Sequence, residues 1–198
     1  MAKGFISLGL EESHSVGVMA NNCVQWSVSS IATIFAGGLI SGIYQTSSSD
    51  IVHHVAHMAD MDILVVEDLA MLKQALGSKR SIKEALPMVK TCVMIKATED
   101  QLVKGKYLEY AHLESLKIKR SDTRIVFKTD KTYIHDLKLF TAKTYGPVIS
   151  WNELVEIGET APNSILEDRE KGLQPNKACM LIFTSGTTGP PKGDAIHF

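Results

Sequence analysis

The sequence predicts an α/β fold, a parallel sheet covered by helices on both faces. Three observations predict it. Short continuous apolar runs, Val16–Met19, Ile63–Val66 and Ala178–Phe183, have the length and composition of strands buried on both sides. The segments between them carry helix start and stop signals. Strand and helix alternate from Val16 to Ile95, and such alternation requires crossover connections and therefore parallel pairing. With 198 residues, 44% hydrophobic and 22% charged, the chain has the material for one core and is neither disordered nor collagen-like.

The elements follow in order. Met1-Ala2-Lys3-Gly4 leads into a short amphipathic segment, Phe5–Leu8, without the apolar stretch of a secretory leader. After the strand at Val16, residues Val24 to Ala36 read as a helix with Trp26, Ile31, Ile34 and Phe35 available to pack. Gly37-Gly38 ends it. Leu39–Tyr44 reads as the second strand, and Ser47-Ser48-Ser49-Asp50 opens a helix whose apolar face is expected at Ile51, Val55 and Met58. Ile63–Val66 is a third strand, Leu69–Leu76 a helix and Thr91–Ile95 a fourth strand. Ser150-Trp151-Asn152-Glu153 has the form of a capping box opening a helix through Ile157. Pro162-Asn163 starts a further short helix, and Ala178–Phe183 is expected to be a buried strand.

Charge excludes some functions. With 21 Lys+Arg against 22 Asp+Glu, the net charge of -1 gives no global attraction to nucleic acid, and no nucleic-acid partner is expected. No charged residue stands between Glu12 and Asp50, which raises the question of a membrane span. Ser27, Ser29, Ser30, Thr33 and Ser41 interrupt that stretch and Gly37-Gly38 splits it, so it reads as a buried helix followed by a buried strand. Cys23, Cys92 and Cys179 lie far apart with no CxxC, the pattern of reduced core thiols in a cytoplasmic protein. Residues 99–147 form an irregular excursion, with six basic and two acidic side chains from Lys117 to Lys131. A short hairpin at Arg124–Lys128 and Lys131–Ile134 fits there, and a solvated excursion is a plainer reading than a basic patch for phosphate or membrane.

Chemistry concentrates where the last apolar strand runs into Thr184-Ser185-Gly186-Thr187-Thr188-Gly189-Pro190-Pro191-Lys192-Gly193. Gly186 and Gly189 let the backbone curl and approach a ligand, so that neighbouring amide N–H groups can converge on an anion. Ser185, Thr187 and Thr188 add hydroxyls, and Lys192 adds a compact positive charge. Pro190 and Pro191 stiffen the turn and donate nothing. The string is not a Walker A loop, because Pro191 precedes Lys192 and Gly193 follows it. By composition alone it would pass for a linker.

The ordered string Phe183–Gly193 closely resembles the phosphate-binding signature of the adenylate-forming (AMP-binding) enzymes. Ala2–Phe5 with Leu8-Gly9-Leu10, Asn21–Trp26, Phe35–Gly38 through Gly42–Ser48, and Gln174-Pro175-Asn176 are similar to the bubblegum-type long-chain fatty-acid–CoA ligases. The resemblance covers about residues 2–96 and 148–193 and implies the incomplete N-terminal subdomain of an adenylate-forming enzyme, 1–198, with an insertion at 99–147. It also implies ATP, Mg2+ and coenzyme A, a fatty acid as substrate, and ATP phosphates held by Thr184, Ser185, Gly186, Thr187, Thr188, Gly189 and Lys192. Peripheral contact with the endoplasmic reticulum membrane is left open by the same resemblance.

Departures from the family pattern shape the expectation. Gly193 leads to Asp194-Ala195-Ile196-His197-Phe198, and His197 is one place short of the family histidine, so that role is not carried over. The later Tyr-Gly-x-Thr-Glu segment, the ribose-binding Asp, the hinge and the C-terminal lysine have no counterpart in the sequence. The expectation is a truncated long-chain fatty-acid–CoA ligase, inactive alone and without a complete catalytic set. The alternatives are a non-catalytic nucleotide-binding or interaction module derived from such a synthetase, or an enzyme of the same superfamily acting on an aryl acid or amino acid. His53 and His57 have metal-pinching spacing but no HExxH context, so the His53, His54, His57 group is expected to face solvent or a partner, and no metal site is expected. Trp26 and Trp151 are expected to be packing residues.

Overall fold

The computed structural model describes residues 1–97, 148–184 and 191–197. The expected hairpin at 124–134 and the insertion at 99–147 fall outside these residues. The described elements are α1 (Ala2–Ser7), β1 (Ser15–Met19), α2 (Val24–Phe35), β2 (Leu39–Gly42), α3 (Ser49–Met58), β3 (Met61–Val66), α4 (Leu69–Leu76), α5 (Ile82–Ala85), β4 (Thr91–Met94), β5 (Val148–Ser150), α6 (Trp151–Thr160), α7 (Ser164–Glu170), β6 (Ala178–Thr184) and β7 (Lys192–His197).

The strands form one sheet in the order β5-β4-β3-β1-β2-β6-β7. Every pair from β5 through β6 is parallel, and β7 alone runs antiparallel, against β6. Alternate side chains point to opposite faces of the sheet. Val16, Val18, Ile63, Val65 and Val93 join Phe5, Ala32, Leu154 and Leu166 in one core layer beneath α1, α2, α6 and α7. Met61, Leu64, Val66, Cys92 and Phe183 join Val52, Val55, Leu72 and Ile82 in the other, beneath α3, α4 and α5. Both faces are covered, as expected, and the sheet matches the predicted class with one antiparallel strand added at its edge.

The helices start where their caps stand. Ser48 accepts from the Ile51 N–H and Asp68 from the Met71 N–H at 3.0 Å. The capping box is complete: Ser150 Oγ accepts from Glu153 N–H at 3.0 Å, and Glu153 Oε2 accepts from Ser150 N–H at 2.8 Å. Gly37 follows the C-terminus of α2 with φ +76°, a conformation that favours glycine.

Two helices bury a different face from the one that hydrophobicity selects. In α2 the sheet side is Ser29, Ser30, Ala32 and Thr33, while Ile31 is 57% and Phe35 49% exposed. Small residues let the helix lie close, and Thr33 Oγ1 donates to Ser29 O at 2.7 Å, so the buried hydroxyl is satisfied within the helix. Val24, Ile31 and Phe35 therefore form an outward apolar stripe, with Trp26 and Ile34 half-buried. In α3 the buried face is Val52, Val55 and Ala56, and Ile51 and Met58 look outward. Only Val55 is shared with the expected face.

Other differences are smaller. Strand β6 sits next to the sheet edge, and only Cys179 and Phe183 of the expected buried run are buried. Its outer neighbour β7 is exposed along its whole length. Helices α1 and α5 and strands β5 and β7 are short elements that local pattern did not predict. Trp26 and Trp151 pack against the core, as expected. No helix among the described residues is long and apolar enough to cross a membrane.

Candidate functional site

In a parallel sheet, loops that follow the carboxyl ends of the strands are the usual ligand-binding edge. Strand β1 is where the chain order reverses, since β2 lies on one side of it and β3 on the other. The predicted phosphate loop leaves the carboxyl end of β6, on that same edge.

Of the predicted site residues, Thr184 and Lys192 lie in described elements, and Ser185, Gly186, Thr187, Thr188 and Gly189 lie outside the described residues. Thr184 is the last residue of β6, Lys192 the first of β7, and the two are direct partners across the antiparallel pair. The structure thus brings the two ends of the predicted loop together. Both residues are exposed, so a hydroxyl-bearing and an ammonium-bearing residue face each other across the pair at the end where the chain passes from β6 to β7. One residue further in, Phe183 pairs with Gly193. A Cβ on Gly193 would stand 2.8 Å from the Phe183 ring, so glycine is what allows the ring to lie against this stem.

The hairpin is also held from outside. His54 Nε2, on α3, lies 2.9 Å from the Pro191 carbonyl oxygen. That carbonyl can only accept, so Nε2 carries the proton. His54 is half-buried, which corrects the expectation that it faces solvent or a partner; the physical reason is this half-buried acceptor, far away in sequence. His53 and His57 are exposed, as expected, and among the described residues they gain no third metal-ligating partner.

A second cluster sits on the carboxyl edge, beside the switch point. Glu67, just past β3, is almost fully buried and accepts from Asn21 N–H and Asn21 Nδ2, both at 2.7 Å, and from Lys96 Nζ at 2.5 Å. The Lys96 hydrogen bond and then the Asn21 N–H hold its carboxyl below the usual range, against the opposing effect of burial. The cluster ties the ends of β1, β3 and β4 together with Glu67 fully engaged. Sequence reasoning missed it because its members are 46 and 29 residues apart and share no local motif.

The opposite edge of the sheet holds another titratable cluster and a cleft. Glu11, His14 and Asp62 could hold a metal by distance, yet Lys90 Nζ already reaches Glu11 Oε1 at 2.6 Å and Asp62 Oδ1 at 2.9 Å. The ammonium takes the place of a cation there. An open cleft of about 400 Å³ lies at the amino ends of β2 and β6, lined by Ile34, Leu39, Gln174 and Lys177 among others. It is across the sheet from Lys192. Cys92 is fully buried, and burial pushes its thiol pKa up; Cys179 is buried and Cys23 half-buried.

The family model described as AMP-binding enzyme matches residues 1–197. The long-chain-fatty-acid–CoA ligase ACSBG2 of Xenopus laevis is 33% identical over 192 residues, which is 97% of this chain and 20% of the relative. The long-chain-fatty-acid–CoA ligase ACSBG1 of Rattus norvegicus is 30% identical over 193 residues, 98% of this chain and 20% of the relative. The chain therefore spans about a fifth of the length of these curated relatives. Among solved structures, an anthranilate CoA ligase, AuaEII, in complex with anthranoyl-AMP superposes with a TM-score of 0.59 at 16% identity, covering 99% of this chain and 27% of that one. At that identity the likeness speaks for the fold.

Proposed function

The chain belongs to the AMP-binding enzyme family, and from that premise we propose that its β6–β7 hairpin is the ATP-phosphate hold of a long-chain fatty-acid–CoA ligase. The observation that carries the proposal is the direct pairing of Thr184 with Lys192. It places a hydroxyl and a cation together at the carboxyl edge of the sheet, flanking Ser185, Gly186, Thr187, Thr188 and Gly189 in sequence.

In the reaction this implies, a fatty-acid carboxylate attacks the α-phosphorus of ATP, the bond to the bridging oxygen breaks, and pyrophosphate departs with the charge. The thiol of coenzyme A then displaces AMP from the acyl-adenylate. Lys192 acts where negative charge grows, on the departing phosphates, and a fixed cation there favours the transition state more than the ground state. Mg2+, which neutralises phosphate charge when bound, would arrive with the nucleotide, because the Glu11–His14–Asp62 group already holds the Lys90 ammonium and lies on the far edge. The long-chain acid, coenzyme A, a cytoplasmic location and peripheral contact with the endoplasmic reticulum membrane belong to the same proposal and rest on the relatives' names and the family resemblance.

Titration calorimetry of the 198-residue chain with MgATP tests the site. Binding weakened at least about tenfold by Lys192→Ala supports it. Absence of binding, or binding indifferent to that substitution, refutes it. Weak, lysine-dependent binding fits a piece of the ligase, whereas tight, lysine-dependent binding favours the alternative of a nucleotide-binding module.

A further inference from the structure

We propose that His54 is a positioning residue for Lys192, acting through the carbonyl of Pro191; the proposal rests on the phosphate-binding reading above. The argument begins with what prolines lack. Pro190 and Pro191 have no N–H, so the stretch that leads into Lys192 can be tied down only through carbonyl oxygens. His54 Nε2 meets one of them, the Pro191 oxygen, at 2.9 Å. That carbonyl shares a planar peptide unit with the Lys192 nitrogen. Fixing the direction of the oxygen therefore fixes the plane from which Lys192 departs.

The donor is itself well fixed. Helix α3 buries Val52, Val55 and Ala56 in the core. The loop before it is held by Gln74 Nε2, which donates to Gln45 O at 2.7 Å and to Ser47 O at 2.9 Å. On the other side, Lys192 is paired with Thr184 of β6. The lysine is thus oriented between a strand partner and a helix-borne imidazole 137 residues away from its target in sequence. The contact has a second effect. A carbonyl oxygen beside a phosphate site repels the ligand, and a donor that engages this one reduces that repulsion.

The test uses the whole chain and two readouts. Imidazole nitrogen NMR reports the tautomer of His54, and MgATP titration calorimetry reports affinity for wild type, Lys192→Ala, His54→Ala, His54→Gln and His54→Asn. The expected result is an Nε2–H tautomer, affinity weakened about three- to tenfold in His54→Ala, recovery in His54→Gln, and none in His54→Asn. Gln places its amide nitrogen where Nε2 stands, whereas Asn is too short, so recovery by one and not the other separates a hydrogen bond from packing. An Nδ1–H tautomer, or His54→Ala affinity equal to wild type while Lys192→Ala binds poorly, overturns the positioning role and leaves the phosphate reading standing. An intact Nε2–H tautomer in a wild-type chain that does not bind MgATP overturns the phosphate reading and the positioning role with it.

Discussion

The ring of Phe183 occupies the space that a side chain at residue 193 would need: a Cβ there would stand 2.8 Å from Phe183 Cε1 and 2.9 Å from Cζ. Phe183 is 7% exposed and belongs to the core layer under α3, α4 and α5. The glycine after the lysine thus serves packing in addition to any approach to phosphate. Gly193→Ala should push the ring aside or lift β7, at a cost of about 1–3 kcal/mol. Urea unfolding measures this, and an unchanged midpoint would show that the ring can move freely.

Acid should act on the Glu67 cluster. The Lys96 hydrogen bond and the Asn21 N–H hold this carboxyl below its ordinary value. In the unfolded chain it takes up a proton at higher pH than in the folded one, so stability rises with pH between the two values. The contribution is present above the ordinary glutamate range, about pH 4.5, and is lost as pH falls through the lowered folded value. Glu67→Gln should be less stable than wild type at pH 7, with the difference shrinking on acidification. Equal pH slopes for the two proteins would contradict this.

Lys90 is the cation of the opposite edge. Burial opposes its charge, but hydrogen bonds with Glu11 and Asp62 outweigh that and raise its pKa. Its Nζ also donates to Gly9 O at 2.9 Å, which joins the turn after α1 to the entry of β4. Lys90→Met keeps the aliphatic stem and leaves the buried Asp62 carboxylate with weaker compensation, for a loss of about 2–4 kcal/mol. Double substitution with Asp62→Asn should recover part of that loss in thermal unfolding. If the double variant is no more stable than Lys90→Met, the charge pairing is not what Lys90 contributes.

The 198-residue chain incubated with palmitate, MgATP and coenzyme A is expected to release no pyrophosphate above a blank. It spans about a fifth of its curated relatives and its sequence contains no Tyr-Gly-x-Thr-Glu segment. A coupled pyrophosphate assay decides the matter, and steady release would require the catalytic set to be present in this chain.

Strand and helix order was legible because each element carries its own signal: the apolar run Ile63–Val66, the cap at Ser48, the capping box at Ser150 and the stop at Gly37. The facing of the helices was less so. Residues 29, 32 and 33 of α2 are small, and only tertiary packing decides that smallness outweighs the greasier face with Ile31 and Phe35. Strand β5, three residues long, draws its stability from pairing with β4 and leaves almost no local trace, whereas α5 does carry a start signal in Ser81, whose side chain accepts from the Glu84 N–H at 3.3 Å. At the site, the ordered motif marked Thr184 and Lys192. His54 was legible only as one of three clustered histidines expected to face solvent or a partner, because a histidine carries no sign of a carbonyl acceptor on another element.

The outward stripe of α2 has a practical consequence. Val24, Ile31 and Phe35 lie in a stretch without a single formal charge between Glu12 and Asp50, so nothing ionic on that segment keeps two such surfaces apart. A concentrated sample of the chain by itself should self-associate through this oily flank, bind fluorescent apolar dyes while still folded, and respond to mild detergent far more than to dilution with salt.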